Sequence, residues 1–187
     1  ISPVPFADKA FMHKIHERIV KPTVDGLKKD NLPYKGFIFI GLIKVGDDPF
    51  VIEYNVRMGD PETELVIPRI KTDLVEVFQA VADQTLDAID IELDERTAAT
   101  VMLVSGGYPE AYEKGKTIAG FENVEDSIVF HAGTDSKNDN IVTNGGRVMA
   151  ITSFGSDFKK ALQKSYQNID KIHFGNKNFR KDIGFDL

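Results

Sequence analysis

The chain has 187 residues, 42% of them hydrophobic and 28% charged, with no cysteine and a formal net charge of −6. That balance buries a core as one large domain or two small ones and excludes a disordered chain. Without cysteine there is no disulfide, thiolate zinc site or cysteine nucleophile, which fits the reducing cytoplasm. Mixed charges with an acidic excess lack the basic stripe of a nucleic-acid binder. No apolar run reaches the roughly 20 residues that span a bilayer, and no signal-peptide pattern opens the sequence.

The opening Ile1-Ser2-Pro3-Val4-Pro5 is extended, because proline disfavours helix at the residue before it; with no initiator Met, Ile1 reads as a boundary within a longer chain. Asp8 can cap a helix carrying Phe11, Ile15 and Ile19 at helical spacing, and Pro22 is expected to kink or interrupt it. Residues 36–45 and 50–56 read as two strands, and Gly46-Asp47-Asp48-Pro49 as the turn of a β-hairpin. Gly59-Asp60-Pro61-Glu62 reads as a turn feeding a helix with Pro61 at its first position. Asp73 and Glu76 make a capping-box pattern for a helix with the stripe Leu74, Val77, Phe78, Val81 and Ala82.

Asp90 to Arg96 is acidic and suits a surface linker or a domain boundary. Beyond it, residues 98–104, 127–132, 140–143 and 147–154 read as strands, with a Gly106-Gly107-Tyr108-Pro109 turn after the first. Phe158, Ala161, Leu162, Ser165, Ile169 and Ile172 keep helical period through a last long helix. Strands followed by a helix make this second part α+β.

The segment that carries chemistry is VIEYNVRMGDPETE, residues 51–64. Alternation along a strand puts Glu53, Asn55 and Arg57 on one face and Ile52, Tyr54 and Val56 on the other. Glu53 and Asn55 are hard oxygen donors of the kind Mg²⁺ takes, and Arg57 offers a fork to a phosphoryl group. The same alternation also describes the plain solvent face of a hairpin. What favours chemistry is the tail Gly59-Asp60-Pro61-Glu62-Thr63, which gathers further polar groups directly after the strand.

The string EYNVRMGDPETE resembles the signature of the phosphoribosylamine–glycine ligases (glycinamide ribonucleotide synthetases), ATP-grasp enzymes of purine biosynthesis. SPVP, GFIFIGL and IPRIKTDLVEVF resemble that family's neighbouring segments. SGGYPEAY, VFHAGT, VTNGGRVMAI and FRKDIG resemble landmarks of its carboxy-terminal domain, so the likeness covers essentially the whole chain. It implies an α+β fold: the back half of an ATP-grasp domain over residues 1–92, then a small sheet-and-helix domain over 93–187.

The resemblance further implies ATP and Mg²⁺ (or Mn²⁺) as cofactors, and glycine and 5-phosphoribosylamine as substrates joined through a glycyl phosphate. Carried over by position, Glu53 and Asn55 are metal ligands and Arg57 steadies the phosphoryl group. Asp60, Glu62 and Thr63 wall the substrate side, and Ser2 and Pro3 match the end of a glycine-rich segment. Glu64 stands where the family commonly has Gln. The likeness also implies an amino-terminal part of the same chain holding the nucleotide. With no P-loop and no G-x-G-x-x-G here, residues 1–187 by themselves are expected to be inactive.

Asn144-Gly145-Gly146-Arg147 reads as a hairpin turn, with Gly145, Gly146 and Arg147 also able to receive a substrate phosphate. Arg180-Lys181-Asp182 reads as a solvated terminal segment or a cover for the site. His13 and His16 have a metal-like spacing but no third ligand, so they read as a solvated face. Asp135, Asn138, Asp139 and Asn140 are similar to a Ca²⁺ loop only superficially, since Lys137 sits at a ligand position. Two other readings stay open: an ATP-grasp ligase or carboxylase for a different acid, and a non-catalytic scaffold.

Overall fold

The computed structural model describes residues 1–187. The chain forms two compact units that interleave along the sequence. One gathers Ile1–Ser2, Glu64–Arg69 and Asp94–Asp186; the other gathers Pro3–Thr63 and Ile70–Leu93. No helix is long and apolar enough to cross a membrane.

In the unit containing Pro3–Thr63, helix α1 (Lys9–Ile15) starts where Asp8 accepts a hydrogen bond from the Phe11 amide. It runs through a π-helical stretch, His16–Val20, into α2 (Lys21–Lys29). Pro22 therefore does not break the helix. Proline has no N–H, and its ring would press on the carbonyl of Arg18 in an ordinary turn. The wider turn, with the Lys21 amide reaching back to the His16 carbonyl, gives the ring room.

Strands β1 (Phe39–Val45) and β2 (Asp48–Asn55) form an antiparallel hairpin. Its turn is tighter than the four residues expected: Val45 pairs with Asp48, leaving Gly46 and Asp47 as the loop, with Gly46 at φ +60°. The helix grips this end, because Lys14 Nζ and Arg18 Nη1 both donate to Asp48 Oδ1, at 3.0 and 2.8 Å. Phe11, Ile15 and Ile19 are buried on the same helix.

Two local expectations change in this unit. The Asp60–Pro61 bond is cis, so Pro61 belongs to the turn, and the short helix α3 (Thr63–Val66) begins two residues later. In α4 (Leu74–Asp83), capped by Asp73 through the Val75 amide, the buried positions are Val77 and Ala80. Phe78 and Ala82 face outward, and Phe78 sits edge-on to Phe37 at 6.1 Å.

The other unit is built on an antiparallel sheet in the order β4 (Ser127–His131), β7 (Arg147–Gly155), β3 (Thr97–Ser105), β8 (Lys177–Asn178). Helix α5 (Phe158–Ile169) covers one face. Val101, Leu103, Met149, Ile151 and Ile169 are fully buried between them; each contributes about 1.5–3 kcal/mol. Buried polar groups on this face are paired: Ser165 Oγ donates to Ser153 Oγ, and Asn168 Nδ2 donates to Ser127 Oγ and the Glu125 carbonyl.

Asp157 caps the start of α5 through the Lys160 amide, while Lys177 Nζ donates to the Ile169 and Ile172 carbonyls at its far end. The helix stops at Ile169, before Ile172, whose side chain is nonetheless fully buried. The Tyr108–Pro109 bond in the turn after β3 is cis.

A second small sheet pairs β5 (Thr134–Lys137) with β6 (Asn140–Thr143); the strand expected at 140–143 is β6, and its partner β5 is the one the pattern does not announce. The two-residue turn between them is Asn138-Asp139, both at positive φ, which is the signature of a tight hairpin. The likeness of these residues to a calcium loop is one of composition alone. Asn144-Gly145-Gly146, expected to be a hairpin turn, instead carries the chain out of the β5–β6 sheet into β7, whose partners are β4 and β3.

Candidate functional site

Glu53 and Asn55 lie near the end of β2, and the local sequence explains how they come to share a face. Opposite them Gly41 pairs with Glu53, while Leu42 pairs with Val51. Ile52 is thus the extra residue of a β-bulge, and the bulge resets which side chains point together. Ile52, Glu53, Asn55 and Arg57 line one cleft; Val51, Tyr54 and Val56 line a separate apolar groove beside Ile19, Pro22 and Leu27. The strict alternation that put Ile52 with Tyr54 and Val56 is corrected by that single inserted residue.

The cleft encloses about 360 Å³, with Phe39, Ile40 and Leu42 supplying apolar wall and Gly59, Asp60 and Glu62 completing the polar side. Asn55 Nδ2 donates to Glu53 Oε1 at 2.9 Å. That bond orients the carboxylate and leaves Glu53 Oε2 and Asn55 Oδ1 as oxygen donors on the same side of the strand. Two hard oxygens held together fit a small divalent cation that takes its remaining ligands from phosphate and water.

Gly41 makes this arrangement possible. A Cβ there would stand 3.0 Å from Glu53 Cγ, so any larger residue pushes the carboxylate away. Sequence reading missed Gly41, although a glycine inside a strand is itself a signal of a bulge or a close approach.

Arg57 is exposed, with Nη1 donating to the Met58 carbonyl at 3.1 Å. A guanidinium carries five N–H donors, so one such bond leaves most of the fork for an anion in the cleft. The turn after the strand is closed by Thr63, whose amide and Oγ1 both donate to the Gly59 carbonyl, at 3.0 and 2.6 Å. The Thr63 hydroxyl is therefore committed to holding the loop. Glu62 folds back over Gly59, where a Cβ would meet Glu62 Oε2 at 2.3 Å.

The remaining candidates lie elsewhere. Ser2 pairs through its backbone with Ala98, and its Oγ accepts from Arg69 Nη1 at 2.7 Å; Pro3, exposed, follows it. Gly145, Gly146 and Arg147 form the entry to β7. Ser105 Oγ donates to the Gly145 carbonyl at 2.8 Å, and the Ser105 amide to the Gly146 carbonyl. The Tyr108 ring covers Gly146 so closely that a Cβ would sit 2.0 Å from Tyr108 Cδ2.

A second bulge adjoins this loop. Leu103 pairs with Met149 and Val104 with Arg147, leaving Val148 as the extra residue. The end of β2 and the 145–147 loop thus each border a bulge, where strands commonly re-aim side chains beside functional sites. No group of three or more His, Cys, Asp or Glu is placed to hold a metal ion, and His16 pairs with Glu17 on an exposed face.

Residues 1–63 match the phosphoribosylglycinamide synthetase ATP-grasp (A) domain, and residues 98–186 match the phosphoribosylglycinamide synthetase C domain. A phosphoribosylamine–glycine ligase of Caldanaerobacter subterraneus subsp. tengcongensis is 42% identical over 183 residues, covering 98% of this chain and 44% of that protein. Among solved structures, the phosphoribosylamine–glycine ligase of Thermotoga maritima superposes with a TM-score of 0.77 at 35% identity, over 91% of this chain and 42% of that one. The N5-carboxyaminoimidazole ribonucleotide synthetase of Thermotoga maritima shares the fold, with a TM-score of 0.58 at 16% identity over 89% of this chain and 43% of that one. The chain spans less than half the length of each of these relatives.

Proposed function

The chain belongs to the phosphoribosylglycinamide synthetase family, and from that membership we propose that it forms part of an ATP-dependent ligase joining glycine to 5-phosphoribosylamine. The observation that carries this reading is the Glu53–Asn55 pair, held at 2.9 Å beneath Gly41 in the same cleft that Arg57, Asp60 and Glu62 line. In this reading residues 1–92 contribute the back half of the ATP-grasp domain, residues 93–187 form the carboxy-terminal domain, and an amino-terminal part of the same protein supplies the rest of the nucleotide site. The cysteine-free composition suits a cytoplasmic enzyme.

Glu53 and Asn55 would hold Mg²⁺ (or Mn²⁺), which when bound neutralises charge on the polyphosphate of ATP. A glycine carboxylate oxygen attacks the γ-phosphorus, the bond to the β-phosphate oxygen breaks, and ADP leaves. Arg57 binds the transferring group, where its fork opposes charge on the equatorial oxygens. The amine of 5-phosphoribosylamine then attacks the acyl carbon of glycyl phosphate; phosphate leaves and the amine loses its proton. Asp60 and Glu62 wall the acid side of the cleft, and an anion loop at Gly145, Gly146 and Arg147 receives the substrate phosphate. Ser2 and Pro3 are carried to the substrate side by their match to the family's glycine-rich segment, since they do not line this cleft.

In the full-length protein, Glu53→Gln and Asn55→Ala should each lower glycine- and phosphoribosylamine-dependent ADP release by at least about 10-fold, the lower range for losing support of a metal. The circular-dichroism melting midpoint should stay near that of the parent. Turnover near the parent level in both variants would overturn the reading.

A further inference from the structure

Helix α3 contains a carbonyl that its own helix cannot serve. The amide one turn beyond Glu64 belongs to position 68, which is Pro68 and has no N–H. The structure supplies a donor from far along the chain: Thr152 Oγ1, on β7, lies 2.8 Å from the Glu64 carbonyl oxygen. Glu64–Arg69 belongs to the same unit as β7, and Thr152 is fully buried.

Thr152 Oγ1 also lies 2.9 Å from Thr100 Oγ1. A hydroxyl has one proton, and a carbonyl can only accept. Thr152 Oγ1 is the donor in both contacts, so its single proton is shared between the Glu64 carbonyl, the nearer acceptor, and the Thr100 hydroxyl.

The bond is one residue from the proposed site. Thr63, the first residue of α3, closes the 59–63 turn by donating twice to the Gly59 carbonyl. That turn carries Asp60 and Glu62 into the cleft. We propose that Thr152 is a positioning residue: its hydroxyl replaces the amide that Pro68 lacks, anchors the start of α3, and so keeps the Asp60–Thr63 turn ordered. The consequence for substrate rests on the ligase reading above; the anchoring itself does not.

The test is residue-resolved hydrogen exchange on the full-length protein bearing Thr152→Val, Thr152→Ser or Thr100→Val. Valine keeps the buried volume and removes the donor; serine keeps the donor. Thr152→Val should speed exchange of the Thr63 amide and the α3 amides by about 10-fold, the scale of one buried hydrogen bond. Amides of β3 and β7 should not change, and Thr152→Ser and Thr100→Val should behave as the parent at Thr63.

The anchoring is refuted if Thr152→Val leaves Thr63 unchanged, if β7 loosens by the same factor, or if Thr100→Val loosens α3 equally. In the kinetic arm, Thr152→Val should raise the KM for glycine about three- to ten-fold while kcat moves by less than about two-fold. A KM unchanged alongside faster Thr63 exchange would overturn the link from anchoring to substrate. Should Glu53→Gln and Asn55→Ala both leave turnover intact, the ligase reading fails while the exchange result stands by itself.

Discussion

Replacing Gly41 with alanine tests whether the Glu53 carboxylate must stand where it does. The new methyl carbon would lie 3.0 Å from Glu53 Cγ and 3.7 Å from the Glu53 carbonyl oxygen. The first distance is several tenths of an ångström inside comfortable contact, and the flexible partner, the Glu53 side chain, gives way. Turning it off its rotamer costs about 0.5–1.5 kcal/mol. Losing the 2.9 Å bond from Asn55 Nδ2 removes about 0.5–1.5 kcal/mol more.

Together the two effects sum to about 1–3 kcal/mol, which weakens the binding of a divalent cation by up to about 5- to 150-fold, since 1.4 kcal/mol is a factor of ten. The same strain also acts on the metal-free fold, so a modest loss of stability accompanies the weaker binding. Gly41 lies in a strand without a positive φ, and the alanine offsets part of the strain by restricting the unfolded chain. The assay is Mg²⁺ activation of the full-length protein beside its thermal midpoint. A right-shifted Mg²⁺ curve with a modestly lowered midpoint is expected. An unchanged Mg²⁺ curve would refute the argument that the close approach of Gly41 positions the metal-facing carboxylate.

Two further substitutions probe the carboxy-terminal unit. Lys177→Met removes two ammonium bonds to the Ile169 and Ile172 carbonyls at the end of α5 while keeping the apolar stem. It should lower stability by about 1–2 kcal/mol, read by denaturant unfolding; no change would mean that water serves those carbonyls equally well. Gly146→Ala drives a methyl into the Tyr108 ring and should cost about 1–3 kcal/mol. Combining it with Tyr108→Ala should recover most of that loss, whereas strictly additive effects would show that the ring is not the obstacle.

Several local rules read directly from the residues hold in three dimensions. Asp8 and Asp73 each cap a helix, because a side-chain oxygen one step before the first turn can meet its free amides. The β1–β2 hairpin and the buried strands β3 and β7 likewise follow from short-range pattern. Where periodicity misleads, a partner distant in sequence is responsible. Phe78 keeps helical period with Leu74 and Val81 yet points outward to Phe37, and Asn144-Gly145, a hairpin signal by composition, joins strands of different sheets.

The candidate site divides in the same way. Glu53, Asn55 and Arg57 are visible as a polar period-two run, since their chemistry and spacing lie within five consecutive residues. That Ile52 joins their face, that Gly41 opens room for Glu53, and that Thr152 stands in for the amide Pro68 lacks are not visible there. The amino-acid order alone names the side chains proposed to meet a metal-bound phosphate and marks helix ends such as those at Asp8 and Asp73, because those depend on neighbours along the chain. Register, bulge position and the donor for an orphaned carbonyl depend on which distant strand lies opposite, and only the folded chain decides that.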